Sequence, residues 1–267
     1  MRCQACICAS FHRPGQPGVM RPSAQGAVIS AKTSAALAAV PKHAAIASAH
    51  PLVNAAGYEI LEAGGNAFDA AVAVSAALAV VEPNASGLGG GGFWLLHRAE
   101  DGFEVMVDGR ERAPLAASAT MFLDSAGEPV PGLSRATALA SGIPGEPAAF
   151  VHIARTYGRL PLARSLAPAI RLARQGFPMY PRLQGGLKFK QQQLASNHAG
   201  SVFLIDGQVP ELGQVIRNPE LAEALELLAR HGRDGFYAGE QANKLVEGVR
   251  DLGGIWTLQD LVEYQVV

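Results

Sequence analysis

Cysteine is nearly missing from this chain, and what there is sits at one end. Cys3, Cys6 and Cys8 are the three cysteines among 267 residues, so no disulfide framework can brace the remainder. Cys3-x-x-Cys6 has the form of half a zinc site, but neither a second cysteine pair nor a histidine pair follows at zinc spacing, and no metal is expected. Acid is absent at the start, where no Asp or Glu precedes Glu59. Charged residues are 17% of the chain and the formal net charge is −1, which leaves no basic excess for nucleic-acid binding. A long apolar run is absent too: the uncharged run over residues 70–81 falls short of the roughly 20 residues that a membrane span needs. Apolar residues nevertheless make up 49%, enough for a sizeable core.

The first 41 residues carry Pro14, Pro17 and Pro22, and Lys32 interrupts their one partly apolar stretch. No ordinary secretory signal is legible there, and the segment reads as a disordered tail or a targeting segment. Residues 42–267 are expected to form one domain.

That domain is organised around residues 64–114. Asn66 can cap a helix and Asp69 suits its first turn, and Pro83 ends it. A helix apolar on every side must be buried on every side, so this one is expected at the centre of the core. Gly87, Gly89 and Gly92 then match G-x-G-x-x-G. A dinucleotide fingerprint needs a strand before it and a helix after it; here a helix precedes and the β-rich Phe93-Trp94-Leu95-Leu96 follows. The glycines are therefore read as a tight backbone passage with no room for Cβ atoms, and a nucleotide-dependent oxidoreductase is the disfavoured alternative. A Walker A loop is excluded because no Gly-Lys-Ser/Thr follows. Residues 93–98 and 103–107 are expected to pair as a hairpin through Glu100-Asp101-Gly102. The second strand delivers Arg110. Spacing leaves two readings for it: a planar fork that grips a carboxylate, or a surface Arg balancing Glu111, which the local charge cluster by itself favours.

Around this stretch, residues 43–49 read as a strand and residues 51–63 as a helix stopped by Gly64-Gly65. His43 and His50, which bracket the strand, read as ordinary polar ends. Helices are expected over residues 146–157 and 160–175, with Pro168 either kinking the second or marking its first turn. Residues 183–201 read as a polar helix pair. Asn218-Pro219-Glu220 opens another helix, a further one carries Ala242, Leu245, Val246 and Val249, and Thr257 to Asp260 has capping-box spacing.

Five separated motifs resemble the γ-glutamyltranspeptidase family, which includes some cephalosporin acylases. They are Gly64-Gly65-Asn66-Ala67-Phe68-Asp69-Ala70-Ala71, Gly87-Leu88-Gly89-Gly90-Gly91-Gly92-Phe93, Asp108-Gly109-Arg110-Glu111-Arg112-Ala113-Pro114, Ser141-Gly142-Ile143-Pro144-Gly145 and Ala173-Arg174-Gln175-Gly176-Phe177. The resemblance implies an α+β fold of the N-terminal nucleophile hydrolase type, a four-layer αββα sandwich, of which this chain is the N-terminal portion. It implies that Arg110 holds the α-carboxylate of the γ-glutamyl group, which overturns the surface reading. It also implies chemistry without a cofactor, with glutathione or another γ-glutamyl compound as substrate, and a periplasmic or secreted location.

The family's nucleophile is a Thr released by self-cleavage, whose own α-amine serves as base, in a Thr-Thr-His context. Thr33, Thr120, Thr137, Thr156 and Thr257 are the threonines here, and none is followed by Thr-His. The expectation is the first half of a precursor: it supplies Arg110 but no nucleophile, is inactive by itself, has the second half as partner, and exposes apolar surface and sheet edges alone. The alternatives are an inactive fragment or carboxylate-binding module, or part of a cephalosporin acylase-like amidohydrolase.

Overall fold

A computed structural model describes residues 44–196 and 198–267. The cysteines, His43 and the expected tail lie outside the described residues.

Residues 44–49, read as part of a strand, form none. The Ile46 N–H donates to the Tyr58 hydroxyl at 3.2 Å instead of to a neighbouring strand, and among the described residues no strand runs beside it. Ile46 itself is buried. Helix α1 (Pro51–Glu62) follows, capped by His50, whose Nδ1 accepts from the Leu52 N–H at 3.2 Å. Burial pulls the His50 imidazole below its ordinary value, with Glu82 opposing the shift. The expected polar end is thus a cap.

Helix α2 (Ala67–Val81) is the hub: its residues are buried from Phe68 to Val81 except Ser75, and it packs against α1 and two later helices. Beyond Asp69 its sequence is uncharged and has no face that prefers water, and small Ala side chains let neighbours approach on all sides. The cap expected at Asn66 is a full capping box. Asn66 Oδ1 accepts from Phe68 and Asp69 N–H at 2.9 and 3.0 Å, and Asp69 Oδ2 accepts from the Asn66 N–H at 2.9 Å. The box also reaches across the fold. Asn66 Nδ2 donates to the Tyr157 carbonyl at 2.7 Å, while the wholly buried Asp69 accepts from Arg159 N–H at 2.9 Å and Leu160 N–H at 3.3 Å.

The hairpin is present, with β1 (Gly92–Arg98) antiparallel to β2 (Phe103–Gly109) and Phe93 opposite Asp108. Trp94, Leu96 and Val107 face inward, and Trp94 meets Phe150 edge-on at 6.4 Å. The other face exposes Phe93, Leu95 and Met106, the uncovered apolar surface that was expected. On the second edge of β2, Val267 exchanges hydrogen bonds with Asp108 at 2.7 and 2.9 Å.

Helical structure follows: α3 (Leu133–Ala136), a 3₁₀ turn (Ala138–Ala140), α4 (Glu146–Tyr157) and α5 (Leu162–Gln175). Pro168 lies inside α5 rather than in its first turn. Two-residue strands β3 (Phe177–Pro178) and β4 (Val215–Ile216) pair on either side of α6 (Pro181–Ala195) and α7 (Ala199–Phe203). Then come α8 (Pro219–His231), α9 (Asp234–Tyr237), α10 (Gly239–Asp251) and α11 (Leu258–Glu263). Asn218 caps α8, and the Thr257–Asp260 capping box opens α11.

Asp69→Ala strips acceptors from three N–H groups, and a buried donor left unpaired costs about 1–3 kcal/mol. The substitution is expected to lower stability by roughly 3–5 kcal/mol, against about 1 kcal/mol for an ordinary lost cap. Urea denaturation checks this, and a loss no larger than the ordinary cap would contradict the cross-fold role.

Candidate carboxylate-binding site

The site grows from a close approach of three backbone segments. The Gly90 carbonyl accepts N–H bonds from Gly145 at 2.9 Å and Glu146 at 3.0 Å, so the glycine turn before β1 is tied to the start of α4. A Cβ at Gly91 would sit on the Gly109 carbonyl oxygen, and one at Gly145 would collide with that oxygen and with the Tyr264 hydroxyl. The expected tight passage is thus observed. The run has a helix before it and a strand after it, an arrangement without the helix N-terminus that a pyrophosphate would need.

Arg110 leaves β2 at this junction. Its N–H donates to Asp108 Oδ1 at 2.9 Å, which turns the chain, and the Tyr264 hydroxyl donates to the Arg110 carbonyl at 2.7 Å. Arg110 Nη1 donates to the Gly91 carbonyl at 3.2 Å, and Nη2 meets Glu111 Oε2 at 3.1 Å. The guanidinium lies 5.9 Å from the centre of the Phe93 ring. Half of the side chain, 51%, stays exposed, and its remaining N–H groups have no partner among the described residues. Each terminal nitrogen of the guanidinium therefore has one partner, and the group stays half open to solvent.

The support beneath is aromatic. Tyr264 stacks on Tyr237 at 5.7 Å, with 13° between the rings. Tyr237 donates to the Pro144 carbonyl at 2.8 Å and accepts from the Ala148 N–H at 3.2 Å. Burial raises both phenols, Tyr264 to about 12 and Tyr237 further, so both remain donors across the physiological range. Arg112 and Ile143 exchange backbone hydrogen bonds at 3.2 and 2.7 Å, locking the Arg110 segment to the turn before α4.

Glu146 was read from sequence as the start of a helix. It lies buried at the first position of α4. Burial first, then the nearby Glu111 carboxylate, push it up to about 8, against a smaller opposing pull from Arg110. Acid at a helix start is common on a surface, and the sequence carried no signal of this burial. Tyr237 was likewise not singled out; its one trace was an aromatic between two helices. Of the threonines, Thr257 is committed to its cap and Thr137 donates to the Leu133 carbonyl at 2.7 Å. Among the described residues no His, Cys, Asp and Glu cluster of three or more could hold a metal.

Comparison with known proteins bears on this arrangement. The sequence model of the Gamma-glutamyltranspeptidase family matches residues 54–267. The glutathione hydrolase proenzyme of Escherichia coli (strain K12) is 40% identical over 228 residues, which are 85% of this chain and 39% of that protein. Glutathione hydrolase 3 of Arabidopsis thaliana is 41% identical over 211 residues, 79% of this chain and 32% of that protein. The chain thus spans about two fifths or less of these relatives' length. The crystal structure of Helicobacter pylori gamma-glutamyltranspeptidase superposes with a TM-score of 0.80 at 38% identity, covering 83% of this chain and 64% of that one. Cephalosporin acylase from Bacillus halodurans superposes with a TM-score of 0.72 at 34% identity, covering 82% of this chain and 41% of that one. The fold is accordingly α+β of the N-terminal nucleophile hydrolase type, represented by its N-terminal portion.

The buried carboxyl makes stability depend on pH. Folded Glu146 keeps its proton up to about 8, whereas its ordinary value is 4.5. Between those values folding takes up a proton, so stability falls as pH rises through the window. Glu146→Gln removes this dependence. Its stability relative to the parent is expected to rise by a few kcal/mol between pH 4.5 and pH 9, read from urea midpoints. Parallel curves would contradict the buried neutral carboxyl.

Proposed function

This chain belongs to the γ-glutamyltranspeptidase family, and from that premise we propose that it forms the carboxylate-gripping part of a γ-glutamyltransferase or glutathione hydrolase. The observation that carries the reading is the half-exposed Arg110 guanidinium, steadied by the Gly91 carbonyl at Nη1 and Glu111 at Nη2. A guanidinium so placed offers parallel N–H groups to an incoming carboxylate. In this reading the substrate's α-carboxylate docks there and presents the γ-amide to a Thr that lies outside this sequence.

The chemistry then divides between two parts. The Thr hydroxyl attacks the γ-carbonyl, its proton passes to the α-amine of the same Thr, and the amide nitrogen leaves with that proton as the amine. Water or an amino acid releases the glutamyl group from the resulting ester. Arg110 takes no part in bond making. It holds the γ-carbon at the nucleophile, where fixed geometry is worth several kcal/mol of barrier. The nucleophile-bearing part covers the exposed Phe93, Leu95 and Met106 face of the hairpin, and this chain alone is inactive. By the same resemblance the protein works in the periplasm or outside the cell.

Similarity to a cephalosporin acylase structure supports a second reading, in which the gripped carboxylate belongs to the acyl side chain of a β-lactam. A carboxylate-binding module without catalysis is the remaining alternative.

The test is complementation. This chain is co-expressed with the second half of the Escherichia coli relative, and glutamate release from glutathione is measured. Activity in the mixture and none in either part is expected. Arg110→Ala in the mixture is expected to raise KM about a hundredfold, because a charge-assisted pair is worth 2–5 kcal/mol, with kcat changed far less. An unchanged KM would remove Arg110 from the site. Release of a β-lactam side chain with no glutathione turnover would favour the acylase reading, and ligand binding without turnover the module.

A further inference from the structure

The carboxyl of Glu146 is not used by the proposed reaction, yet it is buried beside the Arg110–Glu111 pair. Glu111 Oε2 is itself shielded from solvent, with Arg110 as its ion-pair partner among the described residues. Arg110 and Glu111 are thus paired directly, and the backbone brings Glu146 to the same junction. Gly90 accepts the Glu146 N–H, Gly91 accepts an Arg110 N–H, and the Glu111 stem packs against Gly142.

We propose that Glu146 is a positioning residue for carboxylate binding, its neutral form leaving the Arg110 fork open to an incoming carboxylate and its charged form competing for that fork. The proposal rests on the reading of Arg110 given above. With Glu146 neutral, Arg110 and Glu111 cancel, and a substrate carboxylate meets a fork with no net charge around it. With Glu146 ionised, the cluster is net negative and repels the same carboxylate. The groups facing Glu146 support this balance. Arg110 and Glu111 come from the segment after β2, and Tyr237 comes from α9 with Arg233 over its ring. Asp108 lies one step further out, on the Arg110 turn. Burial of the carboxyl and the charge of Glu111 both favour the proton, so ionisation falls on the alkaline side of neutrality.

The expected consequence is loss of substrate affinity at alkaline pH with little change in kcat. In the complemented enzyme, KM for glutathione should rise on the order of tenfold as Glu146 ionises, the size expected for one added like charge nearby in a protein setting. Glu146→Gln should remove that rise. The ligand's own amine titrates equally in both proteins, so the difference between the two curves isolates Glu146. Glu111→Gln gives a second handle that needs no change at Glu146: loss of its charge should move the rise to lower pH. Arg110→Ala is measured alongside. If it leaves KM unchanged, the reading of Arg110 fails and this proposal with it. If it raises KM while the parent and Glu146→Gln curves run parallel, the reading of Arg110 stands and Glu146 is merely structural. If Glu146→Gln does not fold, the parent and Glu111→Gln curves decide, and an unmoved alkaline rise overturns the proposal.

Discussion

Two N–H groups converge on the Gly90 carbonyl, and that junction sets the spacing of everything around Arg110. Gly145 and Glu146 donate to it together, so the glycine turn, the end of β2 and the start of α4 approach until only hydrogen atoms fit at Gly91 and Gly145. Backbone carbonyls thereby come within reach of a side chain that would otherwise wander. Arg110 carries substantial rotamer entropy, and the Gly91 carbonyl and Glu111 fix part of it before any ligand arrives. Pre-ordering of this kind is how a binding group gains affinity without additional contacts. The glycine motif works as a spacer for an arginine, a different use of glycine from cradling a phosphate.

Behind the junction stands α2, and its burial explains why a charged cluster can be held so firmly. Beyond Asp69 the helix is uncharged and surrounded by protein, so it offers no other charged group to compete. Its cap sends Asp69 to the N–H groups of Arg159 and Leu160, so the one charge on this helix is absorbed at its far end. The cluster is then left with its own components: one guanidinium, the Glu111 carboxylate and the buried Glu146 carboxyl. Poor solvation there raises the cost of any uncompensated charge, which is why Glu146 holds its proton.

Much of the fold was legible because the signals were local. Asn66, Asn218 and Thr257 announce helix starts through their own side chains, and all three cap as expected. The hairpin was legible from Glu100-Asp101-Gly102 between β-rich runs. The strand expected over residues 43–49 failed because a strand is defined by its neighbour, and the Ile46 N–H found a tyrosine instead. Pro168 was ambiguous because proline tolerates both a first turn and a packed helix interior. The site divided in the same way. Arg110 was visible through a motif, whereas spacing alone pointed to a solvated surface group. Glu146 was invisible, since a helix-opening glutamate reads the same whether it faces water or a second carboxylate. Only the long-range approach of Gly145 to Gly90 decides between those cases, and no short window of sequence contains both.

The hairpin links the buried core to the Arg110 site. Its inward face carries Trp94, Leu96 and Val107, and its outward face carries Phe93, Leu95 and Met106. A strand pair apolar on both faces is the pattern of a sheet covered on both sides, unlike the alternation of a sheet with one wet face. Phe93 belongs to that outer face and also lies under the Arg110 guanidinium. Whatever covers the hairpin therefore also removes water from around Arg110. In the proposed reading this couples assembly to recognition: the fork is half-solvated in this chain alone, and its hold on a carboxylate strengthens when the nucleophile-bearing part closes over Phe93, because the same charge pair is worth more out of water.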